Sequence, residues 1–457
     1  MQIVKILKKL EMETVAEIYY AGAFVREIIR RKSPENIEIV VRNLQLKDLI
    51  KYFKKHGDVL ETNNKSYIIF QSKKNDNKIK ISVPNKNGRY SPYYTLYDDA
   101  CSRDFTINAM FLPVTSKVKK NLIDYFDGLS DIKSRKIRTT KVAKQSIRKN
   151  PLNMLKAVSL SAEIGYKIDS NLFYAIKSNY LLISKLLKLE IRDELIKILL
   201  SNKPSKYITI LHKLNLLNEI MPELVIAMGV TQNEKYHKYD VFTHCVYACD
   251  NTNPDLTLRL AALLHDIGKP QTREEKIGKN GIIKITFYNH EVVSSKIAKR
   301  ILKRLRFNNK MISEVTDLVY LHMYNYEPEE WTESAVRRFI RKAKITSEDL
   351  KDLPNLPIFL LRRADRLANG HSLKAISYRQ RMFEKNIQEV YNKSKALDIE
   401  DLSIDGATIM AKFNLKPGPT IGHILNHLLS IVIEDQKMNT EELLVNATSD
   451  YLSEALK

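Results

Sequence analysis

The chain has 457 residues, with 75 Lys and Arg against 53 Asp and Glu, which leaves a net charge of +22. This length predicts two to four domains, and the positive excess favours a polyanionic partner, with nucleic acid as the first candidate. Three cysteines without paired spacing exclude a disulfide framework and predict reduced core thiols, and the lack of a long apolar run predicts a cytoplasmic chain with no membrane contact.

Strand-like and helical patterns alternate from residue 3 to about residue 139, and helical patterns dominate after Pro151. The strand-like runs read IYYAG, IEIVV, SYIIFQ, KIKISV, AMFLPV and LIDYF. Later segments such as LLISKLLKLEIRDELIKILLS and HEVVSSKIAKRILKRL have the spacing of amphipathic helices. The predicted fold class is therefore α+β, with a small head of mixed sheet and helices followed by an all-α body.

The segment SPENIEIVVRN, residues 33–43, predicts a loop that enters a short strand. Asn36, Glu38 and Val40 fall on one face of this strand, because strand side chains alternate. That face carries polar groups where a core strand would have none. The polar groups are either what is left of a metal-binding acidic pair or the outward face of an edge strand.

Motifs along most of the chain resemble the bacterial tRNA nucleotidyltransferase and poly(A) polymerase family, of the CCA-adding type. They read AGAFVREIIRRKSPENIEIVV, SRDFTINAMF, LIDYFDGLSDIKSRKIRTT and NPLNMLKAVSLSAEIGYKID, and the tail adds LDIEDLSIDGATIMAKFNLKPGPTIGHILNHLL. The resemblance implies a polymerase-beta-like nucleotidyltransferase head over residues 1–139. It also implies a helical neck and RNA-binding domain over residues 140–235.

Nucleotide transfer of the family's type generally requires acidic side chains that hold two Mg²⁺ ions. At the positions of the family's two aspartates this chain has Asn36 and Glu38, and Lys80 stands where the resemblance places a third acid. A lysine there would repel a divalent ion and could pair with Glu38 instead. We therefore predict that the metal site of the head is lost, and that Mg²⁺ is a cofactor of the head only if the head is active.

The nucleotide-selecting positions of the head are altered as well. The positions that the resemblance assigns to nucleotide binding are Gly22, Arg26, Asn36, Glu38, Arg103, Asp104, Asn150 and Asn153. Arg103 and Asp104 would help to hold triphosphate and ribose, with an ion pair between them as an equal alternative. Asn150 and Asn153 lie where the family selects the base, and amides that can turn over would discriminate poorly. Asn150 before Pro151 is also typical of a helix N-cap, which is the favoured interpretation.

A second group of polar residues lies in the helical body. His265 and Asp266 stand side by side in the apolar segment LRLAALLHDIGKP, which predicts a helix in which unliganded polar groups would be costly. Further candidates on other predicted helices are His244, His290, His322 and Asp365. This order resembles the HD phosphohydrolase superfamily. The resemblance implies an HD domain over residues 236–372 and a helical C-terminal tail over residues 373–457.

The HD resemblance implies roles for these residues. The metal ligands would be His244, His265, Asp266 and Asp365. Lys269 would reach a substrate phosphate and complete the catalytic set of His265, Asp266 and Lys269. His290 and His322 could complete a second metal site, but Leu321 occupies the first position of a common His-His doublet, so one ion and two ions are equal alternatives. The cofactor is a divalent metal, and Mn, Ni, Mg and Fe are not distinguished.

Basic segments predict an RNA-binding surface. Residues 135–149, RKIRTTKVAKQSIRK, carry no acid, and their candidate RNA-binding residues are Arg138, Lys141, Lys144 and Arg148. The helix SKIAKRILKRLRFNNK predicts an outward basic face of Lys296, Lys299, Lys303 and Arg306. Such residues contact phosphates without reading sequence. The predicted partner is tRNA or a tRNA-like RNA, with nucleotides as further ligands.

Three functions are compatible with these patterns. The leading hypothesis is an RNA-binding protein that hydrolyses phosphate esters at its HD site, with nucleotide transfer by the head lost or weak. The second is a functional tRNA nucleotidyltransferase that adds CMP or AMP to RNA 3′ ends. The third is a non-catalytic RNA-binding protein.

Overall fold

The computed structural model describes residues 2–34, 36–61, 66–72, 78–115, 121–233, 237–277, 283–324, 331–371, 378–394 and 396–455. The chain divides into two compact units, residues 1–222 and 223–457. A mixed sheet with helices forms the head, and helices dominate the rest, so the predicted α+β class is confirmed. None of the described helices combines the length and the apolar composition that crossing a bilayer requires.

The elements of the first unit follow in chain order. Its helices are α1 (Gln2–Glu13), α2 (Gly22–Ile29), α3 (Leu46–Phe53), α4 (Leu96–Ser102), α5 (Gly128–Ser134), α6 (Ala143–Lys149), α7 (Asn153–Ile164), α8 (Ser170–Ser178), α9 (Lys188–Leu199), α10 (Pro204–Lys213) and α11 (Leu216–Ile220). Its strands are β1 (Glu17–Ala21), β2 (Ile37–Arg42), β3 (Gly57–Glu61), β4 (Tyr67–Ser72), β5 (Lys78–Ser82), β6 (Asn85–Lys86), β7 (Arg89–Tyr90), β8 (Met110–Pro113), β9 (Ile123–Asp124), β10 (Lys136–Ile137) and β11 (Lys167–Ile168).

Where the structure describes it, the second unit consists of helices and one hairpin. After the short helix α12 (Pro222–Ile226), its helices are α13 (Val241–Asp250), α14 (Leu256–Leu264), α15 (Lys269–Thr272), α16 (His290–Arg304), α17 (Asn309–Leu321), α18 (Glu333–Lys342), α19 (Pro357–Ala368), α20 (Tyr378–Lys393), α21 (Gly406–Phe413), α22 (Pro419–Glu434) and α23 (Glu441–Ala455). The hairpin consists of β12 (Glu274–Ile277) and β13 (Ile283–Thr286).

Strand β2 lies inside the seven-stranded head sheet, whose order is β3-β4-β5-β2-β1-β8-β9. It pairs with β5 in parallel and with β1 in antiparallel orientation. Ile39 and Val41 point into a core formed with α1 and α3, whereas Val40 faces a second cluster with Leu96 and Phe111. The edge-strand alternative is therefore wrong, because β2 has hydrogen-bonded neighbours on both sides.

Alternation of apolar and polar residues predicted most strands of the head sheet, but no pattern in the sequence predicted β3. Its sequence GDVLE is polar, and only its first residue is buried. Its place at the edge of the sheet depends on backbone pairing with β4, from Gly57 opposite Ser72 to Glu61 opposite Ile68. Such pairing leaves little trace in side-chain periodicity.

The three cysteines are free thiols, as predicted from their spacing. Cys245 and Cys249 are buried in α13, where burial raises the pKa of both thiols. Cys101 is only half-buried, so the prediction of a core position is wrong for this residue.

Candidate metal centre and head cleft

Six polar side chains of the second unit converge from five helices. His244 lies in α13 and Asp365 in α19, His265 and Asp266 follow the end of α14, His290 begins α16 and His322 follows the end of α17. We call these six residues the His–Asp centre. The helices α13 and α14 start at side-chain caps, because Asp240 and Asp255 accept hydrogen bonds of 2.8 Å from the backbone N–H groups of Thr243 and Leu258.

His265 and Asp266 lie in a turn and not within a helix, which corrects the prediction from the apolar segment. Helix α14 ends at Leu264. The turn packs closely on α16, because the N–H of Gly268 donates to Ser294 Oγ at 2.9 Å and a Cβ on Gly268 would lie 2.6 Å from Ser294 N. A side chain at Gly268 would therefore push this turn away from α16.

The first group of ligand atoms comes from His244, His265 and Asp266, with Asp365 beside them. His244 Nε2 lies 3.0 Å from His265 Nε2 and 3.1 Å from Asp365 Oδ1. Asp266 Oδ2 lies 3.3 Å from His265 Nε2 and 3.5 Å from His244 Nε2. His244, His265 and Asp266 are buried, and one ligand atom from each lies within 4.8 Å of the other two.

The second group of ligand atoms comes from Asp266, His290 and His322. Asp266 Oδ1 lies 3.1 Å from His290 Nε2 and 3.4 Å from His322 Nε2. All three residues are buried, and their ligand atoms also lie within 4.8 Å of one another. Asp266 therefore offers one carboxylate oxygen to each group.

The orientation of the imidazoles tests whether the centre fits a divalent ion. Three Nδ1 atoms lie at hydrogen-bond distance from backbone carbonyls: His265 from Ala262 at 2.8 Å, His290 from Phe287 at 2.7 Å and His322 from Val319 at 2.6 Å. When Nδ1–H donates, Nε2 carries a lone pair. The Nε2 atoms of His290 and His322 are buried and make no hydrogen bond within the described residues, although both face Asp266. Lone pairs facing a carboxylate oxygen repel it unless a cation lies among them, so this donor set fits a divalent metal.

The ionisation of His322, Asp266 and Asp365 suits metal binding. Burial alone would lower the pKa of His265, but Asp266 and Asp365 outweigh it and raise this pKa, so an ion has to displace a proton from this imidazole. Burial lowers the pKa of His322 to about 4, so its imidazole is neutral at pH 7. Burial alone would raise the pKa of Asp266, but the charges of His265 and Lys269 outweigh it and hold this pKa well below its usual range. The pKa of Asp365 is likewise lowered, because the contact with His244 outweighs burial. Neutral imidazoles and ionised carboxylates are the forms that coordinate metals.

Lys269 lies in the centre, but its contacts are to the protein itself. Its Nζ lies 2.6 Å from Asp266 Oδ2 and donates to Gln232 Oε1 at 2.7 Å, and the residue is only 5% exposed. Gln232 was missed by the sequence analysis, because a single glutamine in a loop carries no recognisable pattern. The predicted contact of Lys269 with a substrate phosphate stays a prediction.

The context YHKYD predicts a surface position or the rim of a substrate site for His237. Its ring centroid lies 5.1 Å from that of His244, and burial lowers its pKa to about 3. The signal that could have found it was its spacing of seven residues before His244, which is too common to be diagnostic.

In the head, Glu38 lies between two cations. Glu38 of β2 stands opposite Lys80 of β5, and Glu38 Oε1 lies 3.7 Å from Lys80 Nζ and 3.1 Å from Arg103 Nη2. Arg103 also contacts Asp99 Oδ2 at 2.8 Å. Burial alone would raise the pKa of Glu38, but Arg103 and Lys80 outweigh it and lower this pKa. Within the described part of the head, no three side chains form a metal-binding group.

The turn before α2 packs directly on this ion pair. Gly22 has a φ of +66°, and a Cβ at this position would collide with the Glu38 carboxylate. Only glycine adopts this backbone conformation at low cost. Asn36 precedes β2 and lines a different cleft with Arg26 and Glu163.

Arg26 and Asp104 have partners within the protein. Arg26 is 3% exposed, and its guanidinium donates to Glu27 at 2.7 Å, Asn108 at 2.9 Å and Glu163 at 2.7 Å. Asp104 Oδ2 lies 2.7 Å from Lys156 Nζ. The alternative of an ion pair between Arg103 and Asp104 is wrong, because each pairs elsewhere.

A cleft of about 240 Å³ in the head brings together Arg103, Asp104, Asn150 and Asn153 with Lys141 and Lys149. Asn150 Nδ2 donates to Asn153 Oδ1 at 3.2 Å, and Asn153 Nδ2 donates to Ser146 Oγ at 3.0 Å. Asn150 Oδ1 accepts from the N–H of Leu152 at 3.3 Å, but α7 begins only at Asn153 with Leu152 as its N-cap residue. The N-cap interpretation is therefore wrong by two positions, because residues 151 and 152 form a turn before the helix.

The predicted RNA-binding residues differ in exposure. Lys144 and Arg148 are exposed on α6, and Lys141 is half-buried in the head cleft, where burial and the charge of Lys149 lower its pKa. Arg138 lies 2.9 Å from Asp131 Oδ2, which gives it a structural ion pair. On α16 and the two residues that follow it, the predicted basic residues are exposed and the apolar residues are buried. The exposed residues are Lys296, Lys299, Lys303 and Arg306, and the buried residues are Ile297, Ile301, Leu302 and Leu305.

Three family models match the chain. They are the Poly A polymerase head domain over residues 18–138, the probable RNA and SrmB-binding site of polymerase A over residues 165–228, and the HD domain over residues 235–370.

Similar proteins match over most of the chain. An A-adding tRNA nucleotidyltransferase of Deinococcus radiodurans is 29% identical over 349 residues, which cover 73% of this chain and 74% of the relative. A CC-adding tRNA nucleotidyltransferase of Thermus thermophilus is 27% identical, and the match covers 76% of this chain and 76% of the relative. The structure of the Bacillus stearothermophilus CCA-adding enzyme in complex with CTP superposes on this chain with a TM-score of 0.65. The match covers 99% of this chain and 97% of the chain of that enzyme. At 17% identity, this last match shows the fold alone.

Proposed function

We propose that this chain, which matches the models of the Poly A polymerase head domain, the RNA-binding site of polymerase A and the HD domain, binds tRNA or a tRNA-like RNA and hydrolyses phosphate esters at the His–Asp centre. The observation that supports hydrolysis is the pair of buried Nε2 atoms, of His290 and His322, that face Asp266 without a hydrogen bond. The ligands would be His244, His265, Asp266 and Asp365, with His290 and His322 on the second side of Asp266.

A divalent ion bound there would supply Lewis-acid chemistry toward a phosphate ester and an activated water. The protein contributes a rigid donor set, because backbone carbonyls hold Nδ1 of His265, His290 and His322. Lys269 orients Asp266 through its contact of 2.6 Å. Burial of these groups excludes bulk water and strengthens their electrostatic interactions.

The test of this function uses the full chain purified without chelators. Its divalent metal content is measured, and release of product is followed from a 2′,3′-cyclic nucleotide and from simple phosphate esters with Mn²⁺, Ni²⁺ or Mg²⁺. Hydrolysis that depends on an added ion supports the proposal. If no ion is found, none raises the melting temperature and none elicits hydrolysis, the His–Asp centre is not an active site and the non-catalytic RNA-binding function is favoured.

The number of ions can be tested at His322. Because its buried Nε2 faces Asp266 and lacks a hydrogen bond, we expect His322→Ala to lower hydrolysis by at least about 100-fold and to reduce the bound metal from two ions per chain to one. Metal analysis and initial rates measure both effects. The exposed His423→Ala serves as the control. Activity within about threefold of the parent, with unchanged metal content, would indicate a single ion held by His244, His265, Asp266 and Asp365.

A second function, nucleotide transfer by the head, is favoured by the names of the relatives. The similar proteins of Deinococcus radiodurans and Thermus thermophilus are named A-adding and CC-adding tRNA nucleotidyltransferases, and these names support transfer better than they support hydrolysis. In this chain the head keeps a cleft with Arg103 and Asp104. Asn36, Glu38 and Asp104 would have to support the metal that transfer requires. Incubation with tRNA lacking its 3′ end, each nucleoside triphosphate and Mg²⁺ or Mn²⁺ separates the two functions, because only transfer lengthens the RNA.

If residues 135–149, which we call the basic junction, bind RNA, the affinity should depend strongly on salt. Each neutralised phosphate contributes roughly 0.7 to 0.9 to the slope of log affinity against log salt. We expect replacement of Lys141, Lys144 and Arg148 by glutamine to lower the slope for tRNA by about 2, as measured by filter binding between low and physiological salt.

The matched control removes the same charge from another surface of the same unit. Lys5, Lys8 and Lys9 are exposed on α1, and their replacement by glutamine should leave the slope unchanged. Equal slopes for the parent and the junction variant would show that the junction does not contact phosphates.

A further inference from the structure

A pocket of about 340 Å³ in the second unit is lined by residues that are neighbours in the chain of His290 and His322. Its lining includes Glu291, Tyr320, Met323, Tyr324, Trp331 and Lys342. Glu291 follows His290 in the chain, and Glu291 Oε2 lies 3.9 Å from His290 Nδ1. Tyr320 and Met323 flank the Leu321–His322 pair at the end of α17. One wall of the pocket therefore belongs to the same helix ends that carry two residues of the centre.

The aromatic lining of this pocket is partly fixed and partly exposed. The Trp331 ring packs on Phe383 at 4.2 Å and on Tyr324 at 4.9 Å between ring centroids. Tyr320 is 41% exposed and Met323 is 46% exposed. The neighbouring core cluster is filled by buried residues such as Phe339 and Phe359. Tyr320 and Met323 are therefore not needed to fill the core, and they present apolar surface on which a planar ring can stack.

Among the described residues that line the pocket, Glu291 and Lys342 carry charges of opposite sign. The Glu291 carboxylate accepts hydrogen bonds only, and the Lys342 ammonium donates only. Lys342 is exposed, with Nζ 5.6 Å from the centroid of the Tyr320 ring. Among the nucleobases, guanine alone presents two adjacent N–H donor groups to a carboxylate while offering O6 and N7 acceptors to a lysine.

We propose that this pocket binds a guanine base whose phosphate lies at the His–Asp centre. The base would stack on Tyr320 beside Trp331, with its N–H edge toward Glu291 and an acceptor toward Lys342. In a nucleotide, one ribose separates the base from the phosphate. Glu291 of the pocket lies next to His290 of the centre, so one nucleotide would place its base in the pocket and its phosphate at the centre. The inference rests on the proposed hydrolytic function and specifies its substrate class: a guanine nucleotide, free or at an RNA end.

The chain contains one tryptophan, Trp331, so its fluorescence reports on this pocket. The full chain is titrated in EDTA, which separates binding from turnover, with GMP, AMP, CMP, UMP, ribose 5-phosphate and inorganic phosphate. We expect saturable quenching with GMP, at least fivefold weaker binding of the other nucleotides, and no quenching with ribose 5-phosphate or phosphate. The same titration is carried out with a short RNA that ends in a guanosine 3′-phosphate. If this RNA binds more tightly than GMP, the site is assigned to RNA ends. If it binds more weakly, the site is assigned to free nucleotides.

Two variants test the contacts. Glu291→Gln should weaken GMP binding about tenfold, because a charged acceptor is lost, and Tyr320→Leu should weaken it about tenfold, because stacking is lost. The matched controls in the same unit are Glu389→Gln, in an exposed ion pair with Lys385, and Tyr378→Leu, which is 74% exposed. These controls should leave the dissociation constant of GMP unchanged.

Equal quenching by all nucleotides, no quenching at millimolar GMP, or variants whose dissociation constants stay within twofold of the parent would overturn the inference. Guanine-selective quenching by a chain that hydrolyses no phosphate ester would instead refute the proposed hydrolysis and leave the base site standing. The two failures are therefore distinguishable.

Discussion

Asp266→Ala is expected to abolish metal-dependent hydrolysis and to lower the free energy of unfolding of the second unit by about 3–5 kcal/mol. Asp266 is 2% exposed and contacts Lys269 at 2.6 Å, and it faces both groups of imidazoles in the His–Asp centre. Its removal leaves the ammonium of Lys269, which is 5% exposed, without its carboxylate partner. Breaking a buried pair in this way leaves an uncompensated charge, which is the costly case.

Product release from a 2′,3′-cyclic nucleotide measures the activity, and urea unfolding followed through Trp331 measures the stability of the second unit. Added Mn²⁺ or Ni²⁺ should raise the melting temperature of the parent and not of the variant, because only the folded parent offers the complete site. Asp365→Ala should also lose hydrolysis.

The control is Asp317→Ala. Asp317 forms an ion pair of 3.0 Å with Lys344, and both side chains are largely exposed, so the expected loss of stability is below about 1 kcal/mol. An Asp266→Ala protein that hydrolyses at the parent rate would exclude the His–Asp centre as the active site.

The second large effect is expected in the head. We expect the unmodified chain to add no nucleotide to tRNA lacking its 3′ end, because Lys80 and Arg103 already neutralise Glu38 where metal ions would gather. The combined variant Glu38→Asp and Lys80→Glu should raise the Mg²⁺ affinity of the head at least tenfold, whereas Asn36 lines a different cleft and is left unchanged. A unit charge about 4 Å away is worth roughly 4 kcal/mol at an effective dielectric constant of 20.

Mg²⁺ affinity is measured by titration calorimetry, and nucleotide addition by the length of labelled tRNA. The control Lys78→Glu makes the same charge change at an exposed position on the same strand, and it should leave Mg²⁺ affinity unchanged. Base-selective addition by the unmodified chain would contradict this prediction and establish the function that the relatives' names favour.

Sequence patterns predicted most helices and strands, and the resemblance to the HD superfamily predicted the members of the His–Asp centre. Alternation in IEIVV and KIKISV predicted β2 and β5. The family resemblance placed Lys80 near Glu38 and so implied their ion pair, which the parallel register of the two strands produces. The resemblance of the order His244, His265, Asp266 and Asp365 to the HD superfamily implied one cluster, and in the structure these residues lie together. The strands follow from local periodicity, whereas the cluster followed from the resemblance of the motifs.

Tertiary structure alone decided which partner each polar group takes. Lys269 contacts Asp266 and Gln232, and Arg26 donates to Glu163, which is 137 residues away in the chain. Strand β2 became an interior strand because β1 and β5 pair on either side of it. The pocket around Trp331 forms only where the ends of α16 and α17 meet α18. Such contacts join residues far apart in sequence, and a buried polar group takes whichever donor or acceptor the packing brings within hydrogen-bond distance.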